Sequence, residues 1–128
     1  MLIDIEGELI PRAQARWPDA VVRDELDNSL LDELPTIQFL QVPAGGDDGL
    51  KVARMLIDMN VYAPTRAEAF RLAIEVHDWI TRVVRGSTTS TLVTGLIRCL
   101  SLPAERPYEN KALRRVGGTY EIFCHPVS

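Results

Sequence analysis

The sequence predicts an α+β fold: an antiparallel sheet of four to five strands with one long helix at about residues 65–85 and a shorter N-terminal helix packed against it. Every second residue is apolar over 53–61 and again over much of 114–127, which is the period of a β-strand. Thr65 and Glu68 form a capping box ahead of apolar residues that recur every three or four positions, which predicts the helix. Strand pairs around one capped helix favour helices on one face of an antiparallel sheet.

The N-terminal third predicts the least regular structure. Residues 5–17 indicate a modest helix that stops before Pro18, and Pro11 either begins this helix or kinks it. Residues 20–23 are a short β-branched run, typical of a weak strand. The acidic segment 24–34 carries leucines near the helical period, and it is compatible with a turn of helix or with a loop.

The middle of the chain predicts a hairpin. Residues 36–42 indicate a strand with apolar side chains on both faces. Residues 43–49 contain three glycines, one proline and two aspartates, which predicts a loop. The loop would join the first strand to a second one at 51–63.

The remaining elements complete a domain that we expect to span residues 1–128. Gly86 is the predicted end of the long helix. Residues 92–102 predict a strand, 103–110 a loop with two prolines, and 114–127 the closing strand.

Composition excludes several classes of protein. Hydrophobic residues make up 46% and charged residues 25%, which is typical of a folded globular chain. The apolar runs are far shorter than the ~20 residues that cross a bilayer. The first residues lack the pattern of a secretory signal. The net charge of −4 is unlike that of a general nucleic-acid binder. We therefore expect a soluble, cytoplasmic protein with no membrane partner and no specific nucleic acid.

The charge is unevenly distributed. Residues 1–48 hold eleven acidic and three basic side chains, a net −8, whereas residues 49–128 have a net +4. The fold either places the two halves on different faces or mixes them again. In the first case, complementary fields would orient copies or partners.

Side chains that could carry chemistry are few. His77, Cys99, Cys124 and His125 are the soft metal-ligand candidates, and they lack the spacing of known zinc sites. Cys124 and His125 are neighbours in a predicted strand, so their side chains should face opposite sides. We expect both cysteines to be free thiols.

Motifs for catalysis or phosphate binding are also missing from the sequence. It contains no G-x-G-x-x-G, Walker, H-E-x-x-H or G-x-S-x-G pattern. Asp47 and Asp48 follow Gly45 and Gly46, and their carboxylates would repel a phosphate. We predict a non-enzymatic protein without catalytic residues, cofactor or metal.

Two stretches carry a family resemblance. Residues 57–69 (IDMNVYAPTRAEA), continuing into Leu72, Ala73 and Val76, resemble the strand-to-helix turn of tail terminator (tail completion) proteins of long-tailed bacteriophages, in the style of actinobacterial phages. Residues 107–110 and 114–122 look like the closing strand of that family. The resemblance covers roughly residues 36–127, and its motifs are structural.

The resemblance implies a virion protein without catalytic residues or cofactor. Members of the family form a homo-hexameric ring that caps the tail tube, ends its polymerisation and joins the tail to a head-side connector or stopper protein. The implied partners are further copies of the chain, the tail tube protein and that connector, and DNA would pass through the ring. The implied location is the tail–neck junction of the virion, after assembly in the host cytoplasm.

A ring requires a head-to-tail contact that closes on itself. Loops 44–50, 86–91 and 103–110 are the predicted contact segments. The candidate interface residues are Gly45, Gly46, Asp47, Asp48, Gly49, Ser87, Thr88, Thr89, Arg106, Tyr108, Glu109 and Asn110.

Three alternatives remain open at the level of sequence. The chain could be another head–tail neck protein, such as a stopper or head-completion protein. It could be a small hydrolase or transferase that uses His77 or Cys99. It could also be a ligand-binding module with a pocket between helix and sheet.

Overall fold

The computed structural model describes residues 3–47, 49 and 52–127. It confirms the α+β class, with a five-stranded sheet and two helices packed on one of its faces. In chain order the elements are α1 (Ile5–Arg16), β1 (Val21–Arg23), a 3₁₀ turn (Leu30–Asp32), β2 (Thr36–Asp47), β3 (Ala53–Ala63), α2 (Arg66–Trp79), a π-helical turn (Ile80–Val84), β4 (Leu92–Arg106) and β5 (Arg114–Pro126).

The sheet is mixed, with the strand order β1-β2-β3-β5-β4. The hairpins β2–β3 and β4–β5 are antiparallel, and β3 pairs antiparallel with β5. β1 pairs in parallel with Thr36–Gln38 at the start of β2. One edge of the sheet is therefore the three-residue β1 and the other is the fifteen-residue β4.

The helices cover the apolar face of the sheet. Alternate residues of β3 and β5 point toward them, as the predicted period requires. These buried side chains join those of both helices in one core, to which the central strands contribute Met55, Ile57, Met59, Val61, Val116, Tyr120, Ile122 and Cys124. We call the opposite side of the sheet the open face.

The long helix forms where the sequence predicts it. The Thr65 hydroxyl accepts a hydrogen bond from the Glu68 N–H at 3.2 Å, which caps the first turn of α2. The helix presents Ala73 and Val76 to the core. The π-helical turn extends it to Val84, and Gly86 reverses the chain with φ of 74°.

The shorter helix contains Pro11 rather than beginning at it. The Asp4 carboxylate accepts a hydrogen bond from the Gly7 N–H at 3.0 Å, and α1 begins at Ile5. Its buried residues Ile5, Leu9 and Ala13 recur every four positions. Packing of this stripe holds the helix together around the proline, which has no N–H to donate. Among the described helices, none is both long enough and apolar enough to cross a membrane.

The first predicted loop is largely strand. Residues 43–47 belong to β2, where Gly45, Gly46 and Asp47 pair with Met55, Arg54 and Ala53 of β3. A bulge between Val42 and Gly45 accommodates Pro43, which has no backbone N–H to donate to β3. The loop prediction for 43–47 was wrong because backbone pairing with β3 overrides the local preference of Pro and Gly for turns. Lys51, the predicted first residue of the second strand, lies outside the described residues.

β4 also continues beyond its predicted end. Residues 103–106, predicted as a loop, belong to β4, and 104–106 pair with β5 as far as Arg106 opposite Arg115. The pairing shifts register three times, after Thr94, after Cys99 and after Ser101. These irregularities let a strand accommodate Pro103, which cannot donate a backbone hydrogen bond.

Segment 24–35 returns across the open face. It contains one 3₁₀ turn, so the leucine period of 24–34 indicates only a single helical turn. Leu30 from this turn packs with Tyr62 of β3 and Leu113, which precedes β5. This second apolar cluster attaches the acidic segment to the sheet.

Candidate functional site

The open face carries a charged cluster across three strands. Glu121 of β5 is only 5% exposed. One carboxylate oxygen accepts a hydrogen bond from Arg54 Nε of β3, and the other accepts one at 3.0 Å from Arg98 Nε of β4. Both guanidinium groups reach solvent, so the cluster has a buried acid and two exposed bases.

The cluster should make folding stability depend on pH. The hydrogen bond from Arg54, then the charges of Arg54 and Arg98, lower the pKa of Glu121 below 4.5, its ordinary value. Because the pKa of Glu121 is lower in the folded than in the unfolded state, its ionisation stabilises the fold at pH values above the unfolded-state pKa. This stabilisation is lost as the pH falls through the folded-state pKa. We expect Glu121→Gln to be less stable than the parent at pH 7, with the difference shrinking in acid.

Urea unfolding of both proteins at pH 7 and at pH 3 measures this effect. Asp78→Asn is the matched control, because its pair with Arg82 is exposed on α2 and has little effect on stability. An equal loss for Glu121→Gln at both pH values would contradict the assignment.

A second polar cluster is centred on Asn60, which is fully buried. Its Oδ1 accepts hydrogen bonds from Arg106 Nη1 at 3.2 Å and from Arg115 Nε at 3.1 Å. Its Nδ2 donates to Gln38 Oε1 at 3.1 Å, and the Tyr62 hydroxyl donates to the same oxygen at 3.0 Å. One amide therefore links β2, β3, β4 and β5.

Arg106 is part of this cluster rather than of a loop. Its Nη2 donates to Thr119 Oγ1 at 3.0 Å, and its Nη1 lies 3.5 Å from Asp58 Oδ1. The sequence places Arg106 in a contact loop, and the structure places it at the end of β4 with its guanidinium across the sheet. Its hydrogen bonds also satisfy the oxygen of Asn60, a buried group that sequence reasoning missed.

The glycine-rich candidates lie at the tip of the β2–β3 hairpin. Gly45, Gly46 and Asp47 are exposed at the end of β2, and Gly49 follows with φ of 77°. Asp48 lies outside the described residues. The hairpin thus presents its tip to solvent, as a contact element would.

The segment that connects α2 to β4 is held by hydrogen bonds and contains the candidates Ser87, Thr88 and Thr89. The Ser87 carbonyl accepts from the Thr94 N–H at 2.8 Å, and the Ser87 hydroxyl accepts from Arg12 of α1 at 3.3 Å. Thr88 forms an isolated bridge with Val93. This connection is thereby tied to the N-terminal helix as well as to the sheet.

The remaining candidates lie between β4 and β5. The Tyr108 ring packs edge-on against Tyr62, with centroids 5.2 Å apart. Glu109 and Asn110 are exposed, and the Asn110 side chain accepts a hydrogen bond from the Ala112 N–H at 2.9 Å. The structure therefore brings Tyr108 to the Tyr62 cluster and leaves its two neighbours at the surface.

His77 and Cys99 both lie beside Tyr120. His77 Nδ1 lies 2.7 Å from the buried Tyr120 hydroxyl, and Cys99 is the strand partner of Tyr120. Burial raises the pKa of the Cys99 thiol above its ordinary value and also raises the pKa of Tyr120. A protonated, half-buried thiol is a poor nucleophile at neutral pH.

The other two soft ligands are separated as well. Burial raises the pKa of Cys124 to about 11, and its sulfur lies 3.7 Å from that of Met55 in the core. His125 is the next residue in the strand, and its Nδ1 lies 2.9 Å from the carbonyl oxygen of Pro126. Both cysteines are free thiols, and within the described ranges no three His, Cys, Asp or Glu side chains lie together as metal ligands would.

Large apolar side chains are exposed along β4. Leu100 is 51% exposed and Leu102 is 70% exposed, beside the register shifts that follow Cys99 and Ser101. Leu96 is 44% exposed on the same strand, so this edge of the sheet carries three exposed leucines.

Two comparisons with known proteins identify no relative. A scan against protein-family models gives no match, and a search of curated proteins finds no similar sequence.

Proposed function

We propose that this chain is a non-enzymatic virion assembly protein that caps the tail tube of a long-tailed bacteriophage as a ring. In this role it ends tube polymerisation and joins the tail to the head-side connector. The resemblance of residues 57–69 and 114–122 to tail terminator proteins supports the proposal, together with the surfaces of the sheet.

The observation that carries the proposal is that the two edges of the sheet are unlike. β4 is long and exposes Leu100 and Leu102, whereas β1 is three residues long and is followed by an acidic segment. A head-to-tail contact needs two different surfaces on each copy, and repetition of such a contact closes a ring when the rotation permits it. The exposed hairpin tip at Gly45 and Gly46 is a further element that could meet the tube or the connector.

The positions of the reactive side chains favour assembly over catalysis. His77 bonds to a buried phenol, and Cys99 has a raised pKa. The chemistry of neither side chain points to substrate activation.

The test is to polymerise the tail tube protein of the same virion with and without the purified chain. We expect electron microscopy to show rings of the chain and shorter tubes that carry one ring at an end. Tubes of unchanged length without rings would overturn the proposal. Binding to the portal-side complex instead of the tube would identify a different neck protein.

Variants of the exposed leucines make this experiment specific. We expect Leu100→Asp with Leu102→Asp to abolish capping while the far-ultraviolet circular dichroism spectrum is unchanged. Ile74→Asp with Val83→Asp is the matched control, because these two side chains are similarly exposed on the helical side. If both double variants cap tubes equally well, the β4 edge is not a contact.

A further inference from the structure

One surface of the chain concentrates negative charge beside an exposed leucine. Segment 18–35 carries six carboxylates and one arginine, a net −5. Arg23 neutralises only Asp27 and Glu33, at 3.0 Å and 2.9 Å. We call the exposed side chains of Glu25, Leu31 and Asp32 the acidic surface, in which Leu31 is 49% exposed.

A second surface concentrates positive charge. Residues 106–115 join β4 to β5 and carry four cationic side chains and one carboxylate, a net +3. We call them the basic hairpin. Seven of these residues, together with Glu105 of β4, line a depression in the surface: Arg106, Pro107, Tyr108, Lys111, Leu113, Arg114 and Arg115. Lys111 is exposed, and Arg114 makes only a half-exposed pair with Glu105 at 3.2 Å.

Within the described part of one copy, the acidic surface and the basic hairpin make no ion pair with each other. The acidic surface follows β1, and the basic hairpin joins β4, the strand at the opposite edge of the sheet, to β5. The two segments nevertheless pack together on the open face, where Leu30 of the acidic segment and Leu113 of the hairpin share an apolar cluster with Tyr62. Within residues 3–47, 49 and 52–127, the ion pairs of the acidic segment are made with Arg23 and those of the hairpin with Asp58 and Glu105. Both surfaces therefore retain charge for another molecule.

We propose that the acidic surface of one copy of this chain binds the basic hairpin of the next copy. The contact pairs Glu25 and Asp32 with Lys111 and Arg114, and it places Leu31 in the depression beside Tyr108. Because the two surfaces differ, every copy can both give and receive the contact, and a ring requires that the contact repeat head-to-tail. This inference rests on the proposed function, since it names the contact through which the ring is built.

Charge reversal tests the contact. One variant combines Glu25→Lys with Asp32→Lys, and the other combines Lys111→Glu with Arg114→Glu. We expect each variant alone to self-associate about tenfold more weakly than the parent in sedimentation velocity at low ionic strength, because like charges then face each other. An equimolar mixture of the two should regain association, since each reversed surface meets its complement. Recovery in the mixture also shows that both variants are folded.

A control variant separates a specific contact from an effect of net charge. Arg71→Glu with Arg85→Glu changes the charge as much as the hairpin variant does, at two exposed positions on the helical side. We expect it to associate like the parent, and we expect added salt to weaken parental association through screening.

The outcomes distinguish this contact from the ring function. Reversed variants that associate as tightly as the parent would overturn the contact and leave tube capping intact. Absence of self-association in both the parent and the mixture would also overturn it. Association that follows the charges but yields open chains and uncapped tubes would support the contact and contradict the proposed function.

Discussion

Phe39→Ala is expected to lower the free energy of unfolding by about 4 kcal/mol. Phe39 lies in β2 with no exposed surface, and its ring centroid is 6.4 Å from that of Trp79 at the end of α2. Truncation removes the packing of this ring against the long helix, and it leaves a cavity that the surrounding strands cannot close. Urea unfolding followed by circular dichroism measures the loss.

Phe123→Ala is the matched control for this prediction. Phe123 lies on the open face, is half-buried, and has the Arg98 guanidinium 5.9 Å from its ring centroid. Its truncation exposes little new cavity, and we expect a loss of about 1 kcal/mol. Similar losses for both variants would contradict the placement of the core between the helices and the sheet.

Gly117→Ala is expected to lower the free energy of unfolding by about 3 kcal/mol. Gly117 of β5 lies beside Asn60, and an added Cβ would approach the Met59 carbonyl oxygen to 2.6 Å and would overlap Asn60 Oδ1. The substitution must therefore displace the backbone of β3 or break the hydrogen bonds from Arg106 and Arg115. Thermal and urea unfolding both report this loss.

Gly46→Ala provides the contrasting substitution. An added Cβ at Gly46 meets no atom within 4 Å, although this residue is also in a strand. We expect a change of at most about 0.5 kcal/mol. A large loss at Gly46, or none at Gly117, would show that the crowding around Asn60 does not determine stability.

The elements with the strongest local patterns could be predicted from the sequence. The alternation over 53–61 and the capping residue Thr65 determine β3 and α2 with nearby residues alone. The same holds for β5 at 114–126. The core that these elements form follows directly, because their apolar sets must face each other.

Features that depend on partners distant in sequence could not be predicted in this way. Residues 43–47 become strand only because β3 supplies hydrogen bonds. The local sequence of Pro, Ala and Gly gives no indication that β3 will pair with it. The parallel pairing of β1 with β2 likewise depends on the return path of segment 24–35.

The polar clusters of the open face have the same limitation. Asn60 and Gln38 are ordinary polar positions in sequence, and the register of β2 and β3 makes them direct neighbours. Glu121 meets Arg54 and Arg98 through the registers of three strands. A polar residue inside an otherwise apolar strand is the signal that such a cluster leaves in a sequence.

We expect the irregular pairing of β4 with β5 to limit aggregation through this edge of the sheet. A long edge strand with surface leucines is a template on which any extended polypeptide can add. The register shifts after Cys99 and Ser101 interrupt the ladder beside Leu100 and Leu102. Because bulges bend and twist a strand, we expect the outward N–H and C=O groups there to match an incoming straight strand poorly. A strand that adds to this edge would therefore have to match its bulges, which a straight amyloid-like strand does not.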